Sequence, residues 1–263
     1  MSYAATLTEE QRRKARWNAI CSALYGCTSE LMLDSSAVII TYIALLNGSD
    51  MFSMLSSSLS AIAYVLLLIP LTGINDRLGL KRSVRVACRI GCGAYIMMAL
   101  APFFGEKAPL LVILAAFIYT MTKPLYLNTW YPLLDNFLLP QDRTLFFSRM
   151  RFLYMVLNAA LFSLLGMVMG RNPPIWFFQL VIVLTGLSIL GRSWHIDKLP
   201  VDPAKKPAAR YRFREAFATS IRNGPLTGFS VYISFVTFGY AALVPLVFIY
   251  LKSHLDVAPS TVI

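Results

Sequence analysis

Three charged side chains stand where charge is expensive. Glu30, Asp34 and Lys123 each lie inside long, otherwise apolar stretches, and a charge at a helix centre within a bilayer costs about 2.5 to 3.5 kcal/mol unless paired or hydrated. Glu30 and Asp34 are four residues apart, so on a helix both carboxylates lie on one side, about one turn apart, with Cys27 and Thr41 close to the same stripe. A carboxylate in such a place can exchange a proton, because desolvation favours the neutral acid and a nearby ammonium favours the anion. Tyr119, Tyr126 and Trp130 fall at helical spacings that put them, with Thr120, on the face of Lys123. Pro124 there frees a backbone carbonyl. Ser53, Ser57, Ser60 and Tyr64 share a face of an earlier segment, and Tyr154 and Asn158 lie four apart on a later one. These polar positions are candidate linings of a cavity, although small hydroxyls in membrane helices more often bond backbone or a neighbouring helix.

The elements that must carry these residues follow from composition. Of 263 residues, 57% are apolar and 14% charged, whereas a soluble domain has about 25% charged. That excludes a disordered chain and argues against a soluble globule. Charge is absent from 152–170, 172–191 and 223–251, and each run reaches the roughly 20 residues that a helix needs to cross a hydrocarbon core. Asp50 and the NGSD turn split 35–75 between two spans. The full reading is seven helices, at about 18–46, 52–74, 84–104, 109–133, 146–170, 174–192 and 224–251.

The net charge of +11 is explained by where the cations fall. Arg12, Arg13, Lys14 and Arg16 precede the first span, Arg77, Lys81, Arg82 and Arg85 occupy the second connection, and Arg143, Arg149 and Arg151 the fourth. The sixth holds Arg192, Lys198, Lys205, Lys206, Arg210, Arg212, Arg214 and Arg222. All are on one side of an alternating topology, and positive charge in short loops stays cytoplasmic. The amino end is therefore expected in the cytoplasm, with no need of nucleic acid as partner. The first span carries Glu30 and Asp34 behind a polar flank, unlike a secretory signal. Cys21, Cys27, Cys88 and Cys92 fall in the cytoplasmic half, where thiols stay reduced, and are expected to pack. No Cys or His cluster has metal-ligand spacing, so no metal and no cofactor is expected.

The organisation is then a six-helix bundle over 1–192, a basic linker over 193–223 and one further span within 224–263. Pro200, Pro203 and Pro207 interrupt the linker, and RYRFREAF can form a basic amphipathic segment on the inner membrane surface. The string GINDRLGLKR sits between the second and third spans. Its Asp76, Arg77, Gly79, Lys81 and Arg82 resemble the cytoplasmic loop signature of the major facilitator superfamily. Gly73 stands three rather than four residues before Asp76, and Leu80 replaces the first residue of the basic pair.

That resemblance implies an all-α polytopic membrane bundle of the superfamily's type: the first half plus the opening helix of the second, apparently truncated at Ile263. It implies alternating access, with the first and fourth helices lining a central cavity so that Glu30, Asp34 and Lys123 can face one another. The expected function is proton-coupled symport of a small organic solute, an anion or zwitterion, across a bacterial inner (plasma) membrane, with sodium as the other candidate ion and the missing carboxyl-terminal half as partner. Glu30 or Asp34 would carry the proton. Lys123, Tyr119, Tyr126, Trp130, Asn158 and Tyr64 are the candidate substrate contacts. Efflux by drug–proton antiport is the alternative, disfavoured by the absence of the antiporters' Gly-Pro pair in the fifth helix. A non-transporting scaffold or sensor, or an inactive transporter fragment, is the reading from another class. An enzyme is not expected, since His195 and His254 sit at opposite membrane edges and no Gly-x-Ser-x-Gly occurs.

Overall fold

A computed structural model describes residues 3–34, 37–169, 173–203, 218 and 221–254. Among these every regular element is helical: α1 (Tyr3–Thr6), α2 (Glu9–Asp34), α3 (Ala37–Leu45), α4 (Asp50–Leu78), α5 (Leu80–Ala99), α6 (Ala108–Leu134), α7 (Arg143–Met169), α8 (Ile175–Asp197) and α9 (Gly224–His254). Short 3-10 turns at Ala101–Lys107 and Pro140–Asp142 introduce α6 and α7. RYRFREAF lies outside the described residues, as do the side chains of Asp34 and Asp76.

Two helices run further than charge alone suggested. α2 begins at Glu9 rather than near 18, because Thr8 and Gln11 form a capping box. The Gln11 amide donates to Thr8 Oγ1 at 3.3 Å and the Thr8 amide to Gln11 Oε1 at 2.9 Å. Pairs at helical spacing, Arg12 with Glu9 and Lys14 with Glu10, then stabilise the first turns. α8 continues through Arg192 to Asp197, so the linker begins after the position expected for it. The connection from α4 to α5 is Gly79 alone. Its φ of 79° lies in the left-handed region that glycine enters without strain, as the tight-turn reading requires. Arg85 closes the base of the bundle, donating to both carboxylate oxygens of Asp197 at 2.7 and 3.3 Å, while Lys81 Nζ donates to the Asp197 carbonyl at 2.9 Å.

In the packing order, α6 lies against both α5 and α4, α8 against both α5 and α2, and α7 touches α2. The core holds Tyr42, Tyr95, Met98, Val112, Leu133, Phe178 and Ile182, all fully buried. Small residues let helices approach: a methyl at Gly191 would sit 2.6 Å from the Tyr25 ring, and one at Gly186 2.7 Å from Tyr95 Cβ.

The outer surface is apolar. Three stretches, Ala101–Leu134, Pro140–Met169 and Ile175–Asp197, are long and apolar enough to cross a membrane among the described residues. The second is the most telling. Its mean hydropathy is 2.0, yet only 11% of it is buried within the protein, and Phe152, Met155, Val156, Leu164, Met167 and Val168 point outward. Such a face is stable against lipid and unstable against water.

Candidate functional site

The site is built where α2, α6, α7 and α8 converge. Glu30 lies on the inner side of α2, and its Oε1 accepts a hydrogen bond of 2.6 Å from Arg192 Nη2 of α8. The side chain of Arg192 is 8% exposed and that of Glu30 29%, so the cation is enclosed while the carboxylate keeps an open edge. The guanidinium carbon stands 3.8 Å from the centroid of the Tyr126 ring on α6, which adds a cation–π contact to a buried guanidinium. Tyr126 in turn packs on Trp130 with centroids 5.5 Å apart. Arg192 Nε has no hydrogen-bond partner among the described residues.

Gly26 is what admits this arginine. A side-chain carbon there would coincide with the guanidinium group itself, so α2 carries a gap one turn before Glu30 through which Arg192 reaches the acid. Ser22 Oγ donates to the Arg192 carbonyl at 3.3 Å and fixes the height of α8 on α2.

Lys123 occupies a second, adjoining position. It is 6% exposed, and its ammonium donates to Ser60 Oγ of α4 at 3.0 Å and lies 5.5 Å from the Tyr119 ring centroid. Tyr119 donates to Ser29 Oγ at 3.0 Å, and Tyr95 donates to the Ser29 carbonyl at 2.6 Å. One residue of α2 thus ties α5 and α6 together beside Glu30. On the other flank the Cys27 thiol donates to Asn158 Oδ1 of α7 at 2.7 Å.

Glu30, Tyr126 and Trp130 are linked through Arg192, Lys123 and Tyr119 lie beside them through Ser29, and Asn158 through Cys27, with one difference from the expected pairing. Glu30 pairs with Arg192 and not with Lys123, although the first and fourth helices do approach each other. Tyr64 is half-buried on α4, one turn beyond Ser60. Arg192 itself was counted with the cytoplasmic linker because it ends an uncharged run. The signal that places it inward is periodicity: Ile189, Arg192 and Ile196 form one stripe, and all three are buried. In the loop signature, Lys81 acts as a cap on α8, while Arg77 and Arg82 are exposed.

What this arrangement can do follows from its charges. Arg192 keeps its proton at any physiological pH. Its guanidinium is a forked donor beside an aromatic ring, of a kind suited to a carboxylate or phosphate oxygen. No protein-family model, no curated protein and no solved structure matches this chain.

Proposed function

We propose that the chain is a secondary active transporter, a seven-span bundle resembling the major facilitator superfamily, that moves a small organic anion together with a proton. The observation that carries the reading is the Glu30–Arg192 pair, enclosed on the arginine side and open on the carboxylate side. Proton and anion then favour each other. A proton on Glu30 frees Arg192 for the substrate's anionic group, and a substrate held by Arg192 takes the cation that balances the Glu30 carboxylate. Such a coupling is reciprocal by thermodynamic necessity, and it is the relation that symport needs. Lys123 and Tyr119 stand close enough to take a second polar group of the substrate, and Tyr126 and Trp130 supply its apolar wall. The apolar outer face of α7 supports membrane integration, and the charge distribution supports a cytoplasmic amino end.

The test is proton uptake on binding. The purified protein in weakly buffered detergent at pH 7, with a pH indicator, is titrated with lactate, succinate or gluconate. A binding acid should draw about one proton per solute from solution, and an inside-alkaline gradient should drive accumulation of the same acid in proteoliposomes. Glu30→Gln should keep binding and lose the proton uptake, and Arg192→Gln should lose binding. The reading fails if an acid binds without proton uptake, or if Glu30→Gln leaves gradient-driven accumulation intact. A static clamp between α2 and α8, favoured by the close fit of Arg192 over Gly26, predicts that Glu30→Gln/Arg192→Gln keeps wild-type activity.

A further inference from the structure

A cleft of about 600 Å³ opens at the end of the bundle where α2 begins, away from the Glu30–Arg192 pair, between the first turns of α2 and the entry to α7. Four arginines line it: Arg12, Arg13 and Arg16 from α2 and Arg149 from α7. Two of them are already committed. Arg12 donates to Glu9 at 2.7 Å, and Arg16 bridges Glu9 at 2.5 Å and Asp142 at 3.1 Å. Those bonds fix the wall of the cleft by tying α2 to the start of α7 across 126 residues of sequence. Arg13 and Arg149 are exposed and have no hydrogen bond or ion pair among the described residues. With Glu9 and Asp142 neutralised, the cleft presents two uncommitted guanidinium groups.

Its other walls are apolar. Trp17, 61% exposed, and Phe146 flank the cations, and an exposed tryptophan beside cations at the end of an apolar bundle is the usual marker of the headgroup layer. One turn beyond Arg149, the outward face of α7 continues with Phe152, Met155 and Val156. A ligand with phosphate between the arginines would therefore have a hydrocarbon-compatible surface running directly away from it, as an acyl chain needs and a free phosphate does not.

We propose that this cleft is a binding site for an anionic phospholipid headgroup, with Arg13 and Arg149 gripping the phosphodiester, Arg12 and Arg16 holding the wall, and Trp17 seated beside the glycerol. The site rests on the chain lying in a membrane and is independent of transport. A cation near a membrane surface contributes about a fivefold preference for anionic lipid, and guanidinium groups bind phosphate oxygens as forked donors.

The experiment is native mass spectrometry of the whole purified chain in detergent with equal amounts of phosphatidylglycerol and phosphatidylcholine, at neutral pH. The wild type should retain phosphatidylglycerol by about tenfold or more. Arg13→Gln/Arg149→Gln should reduce that preference to near unity. Arg222→Gln, which removes an exposed cation outside the cleft, should leave it unchanged. Asp142→Asn, which removes one of the two carboxylates that offset the arginines while Arg16 keeps its bond to Glu9, should strengthen retention, so the assignment stands on changes in both directions. It is overturned if the two lipids are retained alike, if the double variant keeps the preference, or if Arg222→Gln lowers it as much. Displacement of the lipid by millimolar inorganic phosphate would also overturn it, by showing a site for the free ion. Loss of solute-linked proton uptake bears on Glu30 and Arg192 alone, so the two readings fail separately.

Discussion

At the scale of single residues, Arg192 decides most. Replacing Arg192 by Gln leaves Glu30 with no cation, and breaking a buried pair from one side costs about 3 to 5 kcal/mol. The open edge of Glu30 reduces this to about 2 kcal/mol, because water can reach the stranded acid. Glu30→Gln/Arg192→Gln removes both charges and should recover part of the loss, giving a coupling energy of about 1 kcal/mol or more in a double-mutant cycle read by thermal unfolding in detergent. Gly26→Ala should mimic the single arginine variant without touching a charge, since its methyl takes the guanidinium's place. At the far end of α2, hydrogen bonds from Arg12 and then Arg16 hold Glu9 below its ordinary value of 4.5. The folded group is thus more acidic than the unfolded one, so its contribution is present above pH 4.5 and is lost as pH falls through the folded value. Amide protection over residues 12–16, corrected for intrinsic exchange, should be level from pH 7 to about 5 and then drop. In Glu9→Gln it should be lower and flat.

At the scale of helices, the ends were harder to read than the middles. The uncharged runs announce α7 and α9, because a run without charge reports burial or lipid whatever its neighbours do. The start of α2 and the end of α8 are polar, so they escape a test based on hydropathy. They are set instead by the Thr8–Gln11 capping box and by the Ile189–Arg192–Ile196 stripe. Both signals lay in the sequence but demanded reading polar residues as structure. The same limit hid the site: Glu30 and Lys123 advertised themselves by sitting deep in apolar runs, whereas Arg192, at a run's edge, looked like one more cytoplasmic cation. Which carboxylate Arg192 meets was not legible at all, since it depends on the gap at Gly26 and the approach of α2 to α8. The single-residue connection at Gly79 makes a sharper prediction. At φ 79° and ψ 155° a β-carbon is strained by about 1 to 3 kcal/mol, so Gly79→Val should lower the melting temperature measurably. Arg85→Gln, removing a solvent-exposed pair with Asp197, should lower the melting temperature less than Gly79→Val does.

At the scale of the whole molecule, the bundle is turned inside out relative to a soluble protein. Charges lie in its interior and at one end, and its sides are apolar. The end that gathers the amino-terminal turns, the entry to α7 and the Arg85–Asp197 clamp carries most of the arginines, and the opposite end holds the NGSD turn and Lys107. That asymmetry predicts an orientation that can be measured directly. With the four native cysteines replaced by serine or alanine, a single cysteine at position 107 should react with a membrane-impermeant maleimide added to intact cells. A single cysteine at position 82, beside the Gly79 turn, should react only after the membrane is opened. Labelling of position 82 in intact cells, with position 107 protected, would reverse the orientation and place the arginine cleft against the outer leaflet. Labelling of both positions in intact cells would remove the membrane span between them, because α5 and the 3-10 turn that follows are the only chain that separates the two residues. The expected pattern requires α5 to cross the bilayer, although it is not among the three described stretches that are long and apolar enough to do so by length and composition. Its polar face would then have to be hidden by α6 and α8, the helices against which it packs most closely.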